Sequence, residues 1–240
     1  MALLTIDGIG KRFRGVQAVR DVSFAVEAGT IAALIGPNGA GKTTCFNLIA
    51  GSFPPDAGHV SFDGKVLDGL RADQVCRAGI GRTFQIVRPF NALSVLDNVV
   101  IGALCGTRDV RQARIRAMEV LELLHLDGKA GQRAQTLTLP ERKRLEVARA
   151  LATGPRLLLL DEVMAGLRPT EIDEMVAIFT RLNRDTGLTI LLVEHVMRAV
   201  MALARHIVVL HHGEVICRGT PDAVVRDPAV IESYLGSEAP

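Results

Sequence analysis

The 240-residue sequence predicts an α/β fold built on a parallel sheet, and three observations support this prediction. Apolar runs at 31–35, 156–161 and 188–194 lack polar alternation, as strands buried on both faces do. Segments of helical composition at 170–184 and 196–204 alternate with the later runs, which is the rhythm of β-α-β units. The length is ample for one large domain with a substantial buried core.

The N-terminal segment has a different pattern, which is typical of an antiparallel sheet. Leu4 and Ile6 alternate with polar positions, and a second alternating run covers 22–27. Farther along, Asp63-Gly64 separates two short strand-like runs, 59–62 and 65–67. This dipeptide suits the positive φ angles of a tight hairpin turn. We therefore expect an antiparallel β portion beside the parallel sheet.

The middle third is predicted to be helical and to lack strands. Two segments, 95–103 and 110–125, have helical character. Nearer the C-terminus, short strand-like runs at 207–210 and 214–218 are joined across His212-Gly213. Thr220-Pro221 then offers an N-cap and a first-turn proline for a terminal helical segment that breaks near Asp227-Pro228.

The stretch GPNGAGKTT, residues 36–44, follows a buried strand, precedes a helical segment and fits the pattern G-x-x-x-x-G-K-[ST]. Its glycines let the backbone wrap closely enough for several N–H groups to point at phosphate oxygens, beside a helix N-terminus. Lys42 would reach the outer phosphates, and the Thr43 hydroxyl would help to hold Mg²⁺. This phosphate loop predicts a nucleotide site formed by Gly36, Pro37, Asn38, Gly39, Ala40, Gly41, Lys42, Thr43 and Thr44.

A second group of reactive side chains follows the buried run RLLLLDE. Asp161 and Glu162 end this strand at the edge where open α/β sheets bind ligands. Asp161 can bind Mg²⁺ directly or through water, and Glu162 can orient or deprotonate an attacking water. Gln85 and His195 also lie where they can meet a γ-phosphate. Each alone is a weak signal, but their order relative to the two stronger motifs favours a catalytic role.

The composition excludes several other classes of protein. A net charge of +2, dispersed basic residues, no Trp and a single Tyr argue against a nucleic-acid partner. No apolar run approaches the ~20 residues that cross a bilayer, and the N-terminus lacks a secretory signal. The four cysteines are far apart in sequence and are expected to be reduced, buried small residues. We expect a soluble chain whose membrane role, if any, comes through a partner.

Together these motifs resemble the ATP-binding subunits of ABC transporters over nearly the whole chain. GPNGAGKTT is similar to the Walker A motif, LLLLDE to Walker B with its catalytic Glu162, Gln85 to the Q-loop glutamine and His195 to the switch histidine. The resemblance implies a P-loop NTPase (RecA-like) parallel-sheet core, an N-terminal antiparallel β subdomain and a helical subdomain inserted at about residues 88–155.

The same resemblance implies the chemistry of the site. ATP and Mg²⁺ are the expected cofactors, and the metal is expected to be held by Thr43, Gln85 and Asp161. Glu162, His195 and Gln85 are the expected catalytic residues. Each nucleotide would be covered by the Thr138 helix of a second ATPase subunit, either another copy of this chain or a similar one.

More narrowly, the segments RTFQIVRPF, LLVEHVMRAV and VIESYLG resemble the branched-chain amino-acid importer ATPases, although urea, amide and polar amino-acid importers have similar subunits. The resemblance implies a peripheral position on the cytoplasmic face of the membrane, transmembrane permease subunits as partners and, indirectly, a solute-binding protein. The expected permease contact follows Gln85, and ordinary packing is the alternative for most of its residues: Val87, Pro89, Phe90, Leu93 and Val95.

Phe13 and the signature segment are less regular matches to the family. Phe13 matches the aromatic residue that stacks on adenine, while packing in the core is an equal alternative. The signature LSGGQ falls on LTLPE, in which Leu139 and Pro140 replace the two glycines. Thr138 and Glu141 instead form a T-x-x-E capping box with Pro140 in the first helical turn. We therefore expect a weakened signature, or one that needs its partner, in which Thr138 still faces phosphate.

Arg168 is a further departure, since the family often has an aspartate in the loop after Walker B. Arg168 either alters communication between two ATP sites or caps a turn before Pro169. A rival function is a non-transport ABC-type ATPase or a nucleotide-gated regulatory module. Such proteins usually carry tandem cassettes, coiled coils or basic extensions, which this sequence lacks.

Overall fold

A computed structural model describes residues 2–85 and 88–235, and the strands within them form two sheets. The antiparallel sheet contains β1 (Ala2–Phe13), β2 (Val16–Glu27), β4 (Ala57–Phe62) and β5 (Lys65–Val66), in the order β2-β1-β4-β5. The larger sheet contains β3 (Ile31–Ile35), β6 (Ile80–Arg82), β7 (Leu157–Asp161), β8 (Thr189–Val193), β9 (His206–His211) and β10 (Glu214–Gly219). Its order is β10-β9-β3-β8-β7-β6. Among the strand pairs in the described residues of this sheet, only β9–β10 is antiparallel. The predicted α/β class, with its N-terminal antiparallel portion, is confirmed.

Helices connect the strands and cover the larger sheet. The first two are α1 (Lys42–Ile49) and α2 (Ala72–Ala78), and the next three lie between β6 and β7: α3 (Val95–Ala103), α4 (Val110–Leu123) and α5 (Leu139–Ala152). The later helices are α6 (Pro169–Thr186), α7 (Met197–Leu203), α8 (Pro221–Val225) and α9 (Pro228–Leu235). No helix in the described part of the chain is long and apolar enough to cross a bilayer.

Two hydrophobic clusters cover the two faces of the larger sheet. Alternate residues of one strand enter different clusters: Leu158 and Leu160 face the helical side, whereas Leu157 and Leu159 face α1 and the antiparallel sheet. All five residues of β7 are buried, as expected for a parallel strand covered on both faces. Helices α3, α4 and α5 share the first cluster with the sheet. Their division into a separate helical subdomain therefore stays a prediction.

The predicted turns and caps form as the local sequence indicates. Asp63 and Gly64 have φ angles of 51° and 73° in the β4–β5 hairpin. Thr138 caps α5, and its N–H donates to the Glu141 carboxylate at 2.8 Å. Arg168 likewise caps α6, because its N–H donates to Glu171 at 2.8 Å and its exposed side chain pairs with the same carboxylate.

Two predictions about the middle of the chain are wrong. The region contains a strand, β6, which pairs in parallel with β7, and the preceding helix α2 was also not predicted. The strand has three residues and a central Gly81, so it lacks an apolar pattern. A Cβ on Gly81 would lie 3.0 Å from the Ala150 carbonyl oxygen, which explains the glycine. The helix predicted over 110–125 ends at Leu123, since His125 has a φ of 55°.

The expectation that all four cysteines are buried is also wrong. Cys45 is buried, but Cys105 is exposed and both Cys76 and Cys217 are partly exposed. All four are free thiols in the structure. Sequence separation is a poor guide here, because Cys76 and Cys105 come together in the fold.

Candidate functional site

Three parallel strands deliver the predicted reactive segments to one edge of the larger sheet. In the register of the sheet, Asp161 at the end of β7 lies beside Val193 of β8, and Leu34 of β3 lies beside Val193 on the other side. The phosphate loop follows β3, Glu162 follows β7, and His195 follows β8 by two residues. The carboxyl edge of the sheet therefore assembles segments that are far apart in sequence.

Steric contacts explain two glycines of the phosphate loop. Gly36 has a φ of 148°, and a Cβ there would lie 2.0 Å from the Leu210 carbonyl oxygen. Gly41 has a φ of 100°, and its Cβ would lie 2.6 Å from the Ala18 carbonyl oxygen. Any larger residue would displace the backbone, so the path of the loop depends on both glycines. Helix α1 begins directly afterwards at Lys42, which leaves its first N–H groups free for an anion.

Lys42 is folded back onto the phosphate loop. Its Nζ donates to the carbonyl oxygens of Gly36 at 2.7 Å and Pro37 at 2.9 Å, and the residue is only 9% exposed. Burial lowers the Lys42 pKa, while the charges of Glu162 and Asp161 act in the opposite direction. A lysine ammonium has three donors, so a third N–H is available for a phosphate oxygen.

An open cleft of about 520 Å³ lies over the phosphate loop. Gln85 and Glu162 line it together with most of the loop: Asn38, Gly39, Ala40, Gly41, Lys42, Thr43 and Thr44. Gly36 and Pro37 are not among the lining residues and instead accept the Lys42 hydrogen bonds. Four lining residues were not predicted, namely Val16, Gln17, Ala18 and His212. No phosphate-binding pattern marks them, because they reach the cleft through the antiparallel hairpin and the β9–β10 turn.

Glu162 lies at the centre of the predicted catalytic group. Its Oε2 accepts a hydrogen bond from Gln85 Nε2 at 2.8 Å and lies 4.0 Å from His195 Nδ1. The backbone at Glu162 has a φ of 49°, which is uncommon for a residue other than glycine. Its N–H donates to Val193 and its carbonyl accepts from Lys143 Nζ, both at 2.9 Å. Hydrogen bonds at both its N–H and its carbonyl therefore fix the Glu162 backbone, and the carboxylate projects into the cleft.

Asp161 is almost fully buried beside Glu162, at 1% exposure. Its Oδ2 accepts a hydrogen bond from Arg82 at 3.2 Å, whereas Oδ1 is buried and has no hydrogen-bond partner among the described residues. Burial raises the Asp161 pKa by more than the Arg82 charge lowers it. An unpartnered buried carboxylate oxygen is unusual and needs an explanation, such as a role as a ligand to a cation. This oxygen fits a hard cation such as Mg²⁺.

Besides Gly36 and Pro37, the predicted site residues Thr138, Phe13, Asp161 and His195 are not among the residues that line the cleft. Thr138 is exposed at the start of α5 and does not line the cleft of its own chain. Phe13 packs edge-on against Phe53 at a centroid distance of 5.2 Å and is 41% exposed, so the core alternative is wrong. Phe13 pairs with Val16 across the β1–β2 hairpin, and Val16 does line the cleft. Adenine stacking by Phe13 stays a prediction.

Three charged residues behind the cleft were not predicted. Arg82 holds Asp161, and Lys143, which is 6% exposed, holds the Glu162 carbonyl. Glu194 is 2% exposed; its Oε1 accepts from the Met164 N–H at 2.8 Å, and its Oε2 is buried without a partner among the described residues. Burial raises the Glu194 pKa to about 7. For Glu194, the available signal was its position directly after the buried strand β8.

A Glu194→Gln variant is expected to lose part of the pH dependence of stability. The pKa of Glu194 rises from 4.5 to about 7 on folding, so the native state retains the proton longer than the unfolded state. Stability should therefore fall between pH 4.5 and 7 by about 3 kcal/mol in the wild type, and this fall should be absent in the variant. Urea unfolding of both proteins at pH 5 and pH 7.5 measures the difference, and parallel profiles would contradict the expectation.

The fold and the cleft together define a P-loop nucleotide-binding protein of the α/β class. Comparison with known families extends this assignment. A family model described as "ABC transporter" matches residues 19–165, which is more than half of the chain. A second model, described as "Branched-chain amino acid ATP-binding cassette transporter", matches residues 214–240. The chain belongs to the ABC transporter family, as an ATP-binding subunit whose hydrolysis of ATP is coupled to transport.

Individual relatives cover nearly the whole chain. The high-affinity branched-chain amino acid transport ATP-binding protein BraF of Pseudomonas aeruginosa is 38% identical over 249 residues, which cover 98% of each chain. The lipopolysaccharide export system ATP-binding protein LptB of Escherichia coli is 37% identical over 241 residues, which cover 99% of each chain. The crystal structure of the ADP conformation of MJ1267, an ATP-binding cassette of an ABC transporter, superposes with a TM-score of 0.89 at 30% identity and covers 98% of this chain and 99% of that one.

Proposed function

We propose that the chain is the ATP-hydrolysing subunit of an importer for branched-chain or other amino acids. The observation that carries this proposal is the match of residues 214–240 to the branched-chain amino acid transporter model, which lies outside the ATPase motifs. The full-length similarity to BraF supports it. Lipopolysaccharide export is the second candidate, because LptB is nearly as similar over the whole chain. A non-transport ATPase is not favoured, since the chain belongs to a transporter family.

ATP binding is assigned to the phosphate loop, and Mg²⁺ to the oxygen ligands beside it. The loop amides and the third Lys42 donor are suited to the phosphates. Thr43, Gln85 and Asp161 would hold the metal, and the unpartnered Asp161 Oδ1 supports this assignment. Bound Mg²⁺ would offset charge on the phosphate oxygens. Phe13 pairs with Val16, which lines the cleft, at the turn of the β1–β2 hairpin, and we propose that Phe13 contacts adenine.

Glu162 is proposed to orient the attacking water and to accept its proton. Gln85 holds the carboxylate in the cleft at 2.8 Å, and His195 lies close enough to act on the same oxygen or on the γ-phosphate. A carboxylate fixed by an amide donor is preorganised for this task. Because Thr138 does not line the cleft of its own chain, we assign it to the nucleotide of a second subunit in a head-to-tail pair.

The permease is proposed to bind at a groove between α2, β6, α3 and α5. This coupling groove, of about 270 Å³, includes Cys76, Phe84, Ile101 and Arg149 among its lining residues. Phe84 and Ile101 are 58% and 43% exposed and line the same groove, so the groove presents a contiguous apolar surface that is suited to a partner.

The predicted permease contact residues differ in exposure. Phe90 and Leu93 are exposed, Pro89 is partly exposed and Val95 is fully buried, so ordinary packing explains Val95. Val87 lies outside the described residues. Phe90 is held by the buried Asn98, which accepts from its N–H at 2.8 Å and donates to its carbonyl at 3.1 Å. Its ring lies 5.0 Å from the Arg149 guanidinium. Phe90 is therefore presented to a partner in a fixed position.

A Phe90→Glu variant should lose transport and retain ATP binding. The substitution places a charge on the proposed permease contact, while the phosphate loop is unchanged. Solute uptake by reconstituted vesicles and nucleotide titration of the isolated chain measure the two properties. Ile115→Glu is the matched control, because Ile115 is 62% exposed on α4, away from the coupling groove. Normal uptake by the Phe90 variant would count against the proposed contact.

Purification of the chain from membranes with its native partners tests the proposed function. We expect a permease and an amino-acid-binding protein in the complex, and ATP turnover that rises when leucine, isoleucine or valine is supplied to that binding protein. Turnover of the chain alone should be low, because Leu139 and Pro140 replace the glycines of the signature. Stimulation by lipopolysaccharide alone would favour export, and no turnover in the complex despite bound ATP would overturn the assignment.

A further inference from the structure

The thiols of Cys76 and Cys105 lie in contact, although 29 positions separate them in sequence. Their Sγ atoms are 3.6 Å apart. A disulfide bond is about 2.05 Å long, so the two sulfur atoms need to approach by only about 1.5 Å. We propose that this pair is a reversible oxidation site, at which a disulfide joins α2 to the residues that follow α3. The proposal does not depend on the transported solute or on the permease.

Both thiols are carried by backbone that tertiary packing holds in place. Cys76 lies on α2 next to Val75, which is 1% exposed and packs beside Gly51. Cys105 follows α3, and its N–H donates to the Gly102 carbonyl at 3.0 Å. Gly102 is pressed against α5, because a Cβ there would lie 2.3 Å from the Arg149 carbonyl oxygen. The contact between the sulfur atoms therefore follows from the packing of α2, α3 and α5.

The two cysteines differ in accessibility, and this difference sets the order of the chemical steps. Cys105 is exposed, whereas Cys76 is partly buried. Burial and the neighbouring Cys105 raise the Cys76 pKa to about 11. Cys105 should therefore react first with an oxidant, and Cys76 should complete the bond in a slower second step, because the thiolate is the attacking species.

A low-molecular-weight disulfide such as oxidised glutathione supplies the oxidising equivalents. The Cys105 thiolate attacks one glutathione sulfur, the glutathione S–S bond breaks, and one glutathione thiolate leaves. The Cys76 thiolate then attacks the Cys105 sulfur and displaces the second glutathione. Two protein thiols are oxidised to one disulfide, one glutathione disulfide is reduced to two thiols, and the two protons pass to the released glutathione.

A bond at this position would restrict the coupling groove. Cys76 lines the groove, and the chain segment closed by the bond contains β6 and Gln85. The remaining cysteines provide internal controls. Cys45 is fully buried on α1, and Cys217 forms a hydrogen bond with Asp227.

The test uses the full-length reduced protein, treated with oxidised glutathione, alkylated in denaturant and digested for mass spectrometry. We expect the number of alkylatable thiols to fall from four to two and a peptide to appear that joins Cys76 to Cys105. Dithiothreitol should reverse the change, Cys105→Ser should abolish it, and Cys217→Ser should leave it intact. In the Cys76→Ser variant, the reaction should stop after the first step and leave a glutathione adduct on Cys105.

Three results with the wild-type protein would overturn the proposal. These are four alkylated thiols after oxidation, glutathione adducts that never resolve into a cross-link, and a cross-link that forms only between two molecules. The wild type alone decides between these results, so the test does not depend on the folding of any variant.

Discussion

A Glu162→Gln variant is expected to bind ATP normally and to hydrolyse it about 10²- to 10⁴-fold more slowly than the wild type. The amide has nearly the same shape as the carboxylate, so the cleft should be preserved. It cannot accept a proton from water, however, although its remaining amide oxygen can still accept the hydrogen bond that Gln85 Nε2 donates to the carboxylate at 2.8 Å. Phosphate release under saturating ATP measures the rate, and titration with a fluorescent nucleotide measures the affinity.

Glu122→Gln provides the matched control for this variant. Glu122 is an exposed residue of α4, so the same chemical change should leave turnover unaffected. If the Glu162 variant hydrolysed ATP at the wild-type rate, the role of this carboxylate as the base would be wrong. If it failed to bind ATP, Glu162 would be a binding residue.

A Lys42→Ala variant is expected to lose about 10- to 100-fold in affinity for ATP. Each hydrogen bond to a charged group contributes about 1.5 to 3 kcal/mol, and no other lysine lines the cleft among the described residues. The variant also loses the bonds to the Gly36 and Pro37 carbonyls, which hold the loop in shape. Calorimetric titration with ATP measures the affinity.

Lys65→Ala tests whether a general loss of positive charge explains the effect, because Lys65 is exposed on β5 and does not line the cleft. The thermal unfolding of both variants should be compared with that of the wild type, so that loop disruption is distinguished from loss of the phosphate contact. Unchanged ATP affinity in a folded Lys42 variant would contradict the assignment of the phosphate loop.

The predictable part of the fold is the part in which burial or turn chemistry leaves a local pattern. The runs at β3, β7 and β8 were recognised because parallel strands covered on both faces are apolar throughout. The Asp63-Gly64 turn and the Thr138 cap were recognised because few residue types fit those conformations. Strand β6 could not be recognised in this way, because it is short, contains Gly81 and is specified by its pairing with β7.

The candidate site was predictable to a similar extent and for a related reason. Phosphate binding requires a fixed spacing of glycines and lysine, so residues 36–44 could be identified directly. Lys143 and Glu194 could not be identified from the sequence, because their roles come from hydrogen bonds with Glu162 and Met164, which are distant in sequence. The contact between Cys76 and Cys105 was hidden in the same way, since it arises from helix packing.

The hydrogen bond from Lys143 to the Glu162 carbonyl connects α5 to the backbone that carries the proposed catalytic carboxylate. Thr138 begins this helix and Lys143 lies five residues along it, a span of about 8 Å at 1.5 Å per residue. A helix of this length is stiff, so a displacement of its first turn should be transmitted to the Glu162 backbone. If Thr138 contacts the nucleotide of a second subunit, as proposed above, occupancy of that ATP site should influence hydrolysis at this one.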